Sequence, residues 1–130
     1  MNKSFAKART CYQHLAGDLG IQICDALIKI GCVHHNIIDG HSQYKLSDIG
    51  VTWTKDVGFY QTKRTQIKAC IDVTHKRPHL AGAWAIELCA FLLRNGYTEQ
   101  DLKTRHIKVT ALGEQFLQQK LAINWAQITK

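Results

Sequence analysis

Two pairs of metal-ligating residue types precede the same four-residue word. Cys11 stands three residues before His14, which opens His-Leu-Ala-Gly at 14–17. Cys70 stands nine residues before His79, which opens the same word at 79–82. Zn²⁺ takes Cys thiolate and His imidazole tetrahedrally, so Cys11, His14, Cys70 and His79 would supply a Cys₂His₂ set if the two segments met. The unequal spacing leaves the two cysteines inequivalent along the chain. The other reading of these residues is structural: each His caps or orients the start of a helix, and the thiols are small buried hydrophobes. Cys70 also invites a thiol-sensing reading, because Lys68 before it and His75, Lys76 and Arg77 after it would favour the reactive thiolate.

The remaining cysteines and histidines carry less chemistry. Cys24 and Cys89 fall among Ile and Leu in helical segments, which makes them inert core residues, and Cys32 follows a helix-stopping glycine. His34, His35 and His41 flank an Asp39-Gly40 turn, where a hairpin could gather them as a secondary metal or pH-sensitive group. Strand alternation sends His34 and His35 to opposite faces, so we expect surface residues there. The sequence has no G-x-S-x-G elbow, phosphate-binding glycine loop or H-E-x-x-H, and we expect no enzyme.

The elements that position these residues come twice. After the first His-Leu-Ala-Gly, Ile21, Cys24, Leu27 and Gly31 align with Ile86, Cys89, Leu92 and Gly96, 65 residues on. Lys45–Gly50 (KLSDIG) aligns with Lys108–Gly113 (KVTALG) at an offset of 63. Leu15, Leu19, Ile23, Leu27 and Ile30 recur at helical spacing, as do Leu80, Trp84, Leu88 and Leu92, and Gly31 and Gly96 end the two helices. Val33 to Leu46, turning at Asp39-Gly40, reads as a β-hairpin; Tyr97 to Val109 is its weaker counterpart. Ser47 and Thr110 cap a following helix. Thr62 to Val73 reads as a linking helix. The expected fold is α+β and mainly helical: two winged-helix-like repeats (helix, β-hairpin, helix), about 9–60 and 70–123, packed into a single compact domain over residues 1–130.

The chain's 17 Lys+Arg against 10 Asp+Glu give it a formal charge of +7, with 45% hydrophobic residues. That composition is globular and excludes a disordered tail or a fibrous rod. No apolar run reaches the roughly 18–20 residues a membrane span needs. No secretory h-region is visible and the five cysteines are odd in number, so a cytoplasmic location is expected.

CYQHLAGDLG, an LS-x-x-G element, a central Cys-Ile-Asp, HKRPHLAG and a final VT-x-x-G helix together resemble the C-terminal region of a group of ArsR-type bacterial transcriptional regulators. The resemblance runs from about Arg9 to Ile123. It implies transcription regulation, with this region as a sensor and assembly part that follows an N-terminal winged helix-turn-helix DNA-binding domain, here expected to be missing. Val73 stands where that group often has an aromatic residue.

A winged helix reads DNA with a polar, basic helix in the major groove. The two helices in that position here are dominated by Leu, Ile, Ala, Phe and Trp, and belong in a core or an interface. The cations cluster elsewhere: Lys63, Arg64 and Lys68; Lys76 and Arg77; Lys103, Arg105 and Lys108. They could touch a nucleic-acid backbone without sequence preference, or simply form a solvated surface. Trp53, Trp84 and Trp125 are expected in cores or at a dimer contact. The overall expectation is the ligand-sensing and dimerisation region of a regulator. It would be a homodimer with no membrane partner, with a small-molecule or metal effector (Zn among the candidates) and with DNA read through the other domain. The rivals are a stand-alone winged-helix DNA-binding protein and a Cys/His metal-binding or thiol-sensing module.

Overall fold

The computed structural model describes residues 9–11, 14–59, 66–71, 78–101, 103–104 and 106–128. The chain forms β1 (Arg9–Cys11), β2 (His14–Ala16), α1 (Gly17–Lys29), β3 (Val33–Ile38), β4 (His41–Leu46) and α2 (Asp48–Val57). The same order then returns as β5 (Gln66–Ile71), β6 (Pro78–Ala81), α3 (Ala83–Arg94), β7 (Thr98–Gln100), β8 (Ile107–Val109) and α4 (Ala111–Leu121), followed by the short α5 (Trp125–Ile128). The fold is mixed α+β, and helical residues outnumber strand residues among those described.

Two elements differ from the sequence reading. Residues 66–71, expected within a linking helix, form strand β5. Within it the neighbours Ile67 and Lys68 differ as residues on opposite faces of a strand do, the first buried and the second exposed. The His-Leu-Ala words, expected inside the helices, are the strands β2 and β6. Pairing takes Leu15 opposite Thr10 and Leu80 opposite Ala69. The glycine ending each word then has φ of 70° at Gly17 and 88° at Gly82. A side chain would strain that turn from strand into helix.

The other expected elements are present. β3 and β4 pair antiparallel across a two-residue loop whose Asp39 and Gly40 both have positive φ, the geometry of a tight primed turn. β7 and β8 form the second hairpin. Ser47 caps α2 by accepting from Gly50 N at 3.0 Å, and Thr110 caps α4 by accepting from Gly113 N at 3.0 Å. The hydroxyls also donate back to the hairpin entrance, Ser47 towards the Gly31 and Cys32 carbonyls, Thr110 towards those of Gly96 and Tyr97.

The strands form three antiparallel sheets: β1-β2, β3-β4-β5-β6 and β7-β8. Tyr44 opposite Ile67 and Lys45 opposite Gln66 join the first hairpin unit to the second. The helices cross over, α1 packing on β6 and α3 on β2, with β2 and β6 alongside one another. Leu19, Leu27, Trp84 and Leu92 are all buried at this centre. Burial of each such side chain contributes roughly 1.5–3 kcal/mol. A run of aromatic contacts carries the core outward: Trp53 and Phe59 of the first unit meet Trp84, and Phe59 meets Phe91, which touches Tyr97 and Phe116.

Candidate functional site

The two helices that precede the β3-β4 and β7-β8 hairpins, α1 and α3, are spent on the core. In α1, Leu19, Ile23, Cys24 and Leu27 are buried, and the half-buried polar positions are Asp18, Gln22 and Asp25. Two of those three are acidic, which repels phosphate. In α3, Trp84, Ala85, Leu88, Cys89, Phe91 and Leu92 are buried, and Arg94 at the last turn is its one basic residue. Arg94 lies 6.0 Å from the Phe91 ring centroid.

The basic residues are placed only in part. Lys68 is exposed on β5, Lys103 is exposed in the β7–β8 turn, and Lys108 is exposed on β8 opposite Glu99. In that turn the Asp101 carboxylate accepts from the Lys103 and Thr104 amides. Lys63, Arg64, Lys76, Arg77 and Arg105 lie outside the described residues.

The backbone register changes the reading of the Cys and His pairs. Cys11 is the direct cross-strand partner of His14 in β1-β2, and Cys70 is the direct cross-strand partner of His79 in β5-β6. The neighbouring rungs match as well, Thr10 with Leu15 as Ala69 with Leu80, and Arg9 with Ala16 as Lys68 with Ala81. The cysteines that look inequivalent in sequence are therefore equivalent in the fold. The second hairpin adds a further rung beyond this pair, Ile71 opposite Pro78. His79 is buried, with 1% of its surface exposed. The side chains of Cys11, His14 and Cys70 lie outside the described set. Among the described residues no three His, Cys, Asp or Glu side chains are grouped to hold a metal ion.

The remaining thiols are buried, as their positions imply. Burial pushes the thiol pKa of Cys32 and of Cys89 up to about 11, which keeps both protonated and unreactive at neutral pH. Cys24 is fully buried in α1. The hairpin histidines are surface residues. His35 stacks on Tyr44 with ring centroids 4.4 Å apart and hydrogen-bonds Ser42 at 3.0 Å. The register sets His34 opposite Lys45 and His41 opposite Ile38, so the three histidines are not gathered.

Gly20, Ile23, Leu80, Ala85 and Leu88 surround a void of about 10 Å³ where α1, β6 and α3 meet. That is far below the roughly 300 Å³ of a small-molecule site. A wider cleft of about 370 Å³ lies between α4 and α5, lined by Gln115, Gln118, Gln119 and Trp125 among others. Sequence reasoning passed over it; the glutamines at three- and four-residue spacing on α4 were the available signal.

Over 112 residues the chain is 27% identical to YdfF of Bacillus subtilis (strain 168), described as an uncharacterized HTH-type transcriptional regulator. This chain is similar to a transcriptional regulator. The match covers 82% of the chain and 48% of the relative, so the chain spans about half that protein's length. No family model matches it, and neither does any solved structure. Similarity to a regulator agrees with a sequence that carries no catalytic motif. Among the described residues no helix is long and apolar enough to cross a membrane.

Proposed function

We propose that these residues form the ligand-sensing and dimerisation region of a bacterial ArsR-type transcriptional regulator, with DNA read by a separate helix-turn-helix domain. One observation carries this: the two helices that precede the hairpins, α1 and α3, are buried against the opposite unit's strands. Withdrawing them to contact DNA would expose Leu19, Leu27, Trp84 and Leu92, a loss of several kcal/mol. The regulator relative supports the general role. Assembly as a homodimer fits the large aliphatics left in water, among them Ile37, Ile38, Ile49 and Leu112. Ile49 and Leu112 occupy the same place in the two units, two residues after the capping Ser47 and Thr110.

Fluorescence polarisation with duplex DNA tests the division of labour. The 130-residue chain is expected to bind weakly, without sequence preference and with a steep salt dependence. Tight binding that selects one sequence would overturn the reading and favour a stand-alone DNA-binding protein. Sedimentation equilibrium tests assembly: a dimer is expected, and a monomer across the micromolar range would remove the dimerisation role.

A further inference from the structure

We propose that strand β3 is the dimer contact: two copies of this chain pair their β3 strands antiparallel about a two-fold axis. The inference rests on the dimerisation reading above and names the surface that carries it. β3 ends the β3-β4-β5-β6 sheet, and among the described residues no strand pairs with its free side. The hairpin fixes which backbone groups face that side. Ile38 and His41 flank the two-residue loop, and Ser47 N donates to the Cys32 carbonyl, so Cys32, His34, Asn36 and Ile38 turn their backbone groups towards β4. Val33, His35 and Ile37 turn theirs outward. A row of outward N–H and C=O groups is a template for another extended strand. Sheet edges are ordinarily guarded by charge, proline or a bulge. β3 (VHHNII) has no Asp, Glu, Lys, Arg or Pro, and its residues pair with β4 without a break. In a chain of formal charge +7, this uncharged edge is where two copies approach with little repulsion.

Self-complementarity sets the register. With His35 on the axis, it opposes its own copy and Val33 opposes the partner's Ile37, so every outward N–H and C=O of these three residues is paired. The same register covers apolar surface. Ile37 is 71% exposed, although it lies on the hairpin face that carries the buried Val33, Tyr44 and Leu46. Opposite Val33 it continues that face across the axis. Ile38 comes level with the partner's Cys32, at the base of the strand. Ile30 and Ile49 are exposed at that base, with Ile49 Cδ1 3.6 Å from where a Cβ on Gly31 would stand. Ile30, Ile37, Ile38 and Ile49 thus gather in one interface, and they are four of the five large hydrophobics exposed among the described residues. Charge agrees as well: Asp39 of the loop arrives at the end of α1 that carries Lys29.

Disulfide trapping and sedimentation equilibrium on the intact 130-residue chain test the contact. A hydrogen-bonded antiparallel pair holds its Cα atoms about 5.5 Å apart, within disulfide reach. His35→Cys is therefore expected to form a covalent dimer under mild oxidation, well beyond the parent chain treated alike. Ile38→Cys is expected to match the parent, because its two copies stand about 20 Å apart, six residues at about 3.3 Å each. Ile37→Lys puts a charge on the edge and should weaken self-association at least about 10-fold. Leu112→Lys, at the exposed aliphatic outside the interface, should associate as the parent does. The two readouts are independent, so a variant that fails to fold leaves the other to decide. A parent dimer that Ile37→Lys leaves intact, or that Leu112→Lys alone disrupts, overturns this contact and leaves the dimerisation reading standing. So does cross-linking by His35→Cys no greater than by Ile38→Cys. A monomeric parent removes both readings.

Discussion

The indole N–H of Trp84 donates to the hydroxyl of Thr54 at 3.1 Å, joining α3 of the second unit to α2 of the first. Thr54 passes the bond on, donating to the Gly50 carbonyl one turn back at 2.8 Å. Both side chains are buried, Thr54 completely. Replacing Thr54→Val keeps the shape and strands a buried indole N–H, at a cost of about 1–3 kcal/mol. Urea denaturation of Thr54→Val, Trp84→Phe and the double variant should give a coupling energy above about 0.5 kcal/mol. Additive effects would show that the bond contributes nothing of its own.

Thr98 makes the opposite case. It is 5% exposed, and its hydroxyl meets no hydrogen-bond partner among the described residues. Thr98→Val should therefore be neutral or stabilising, by up to about 1–2 kcal/mol, since it removes a buried polar group that gains nothing from folding. A lower urea midpoint for this variant would mean that the hydroxyl is satisfied after all.

Gly50 and Gly113 occupy one position in the two units, three residues after the capping hydroxyls of Ser47 and Thr110. A methyl group at Gly50 would run into the Cys32 carbonyl oxygen, and at Gly113 into that of Tyr97. Neither carbonyl can step aside: the first accepts from Ser47 N and Oγ, the second from Thr110 N and Oγ1. Gly50→Ala and Gly113→Ala should each destabilise by about 1–3 kcal/mol or more. Thermal melts check it, with a loss expected in both variants; a tolerated alanine at either site would contradict the described cap.

Alkaline pH should unfold the chain earlier than its composition suggests. Burial raises the Cys32 and Cys89 thiols from 9.0 to about 11, and raises Tyr44 in the same direction. A raised acid binds its proton more tightly folded than unfolded. This contribution is complete below about pH 9 and is lost as pH climbs towards 11. Stability measured from neutral pH to about pH 10.5 should fall through that window, and the fall should be shallower in Cys32→Ala/Cys89→Ala. Equal slopes in parent and variant would count against buried thiols as the cause.

The two Cys-His pairs show where sequence reading stopped. Both Cys-His pairs and both His-Leu-Ala-Gly words are visible in the chain, but their equivalence is a matter of strand register. Residues can be added beyond a rung without changing it, as Ile71 opposite Pro78 follows Cys70 opposite His79, so counting the residues between a Cys and its His misleads. The same blindness made a helix of Gln66–Ile71, where a six-residue segment gave too short a window for its period to stand out.

What the sequence determined is everything whose cause is local. The Asp39-Gly40 turn, the Ser47 and Thr110 caps, the apolar stripes of α1 and α3 and the burial of Cys24, Cys32 and Cys89 follow from residue type and spacing. What the tertiary structure decided is which partner each surface meets. That α1 lies on β6 and α3 on β2, and that Trp84 finds Thr54, depends on contacts between residues far apart in the chain. Hydrophobic burial is non-directional, so an apolar stripe states that it must be covered and leaves the covering element to be set by the packing of the whole.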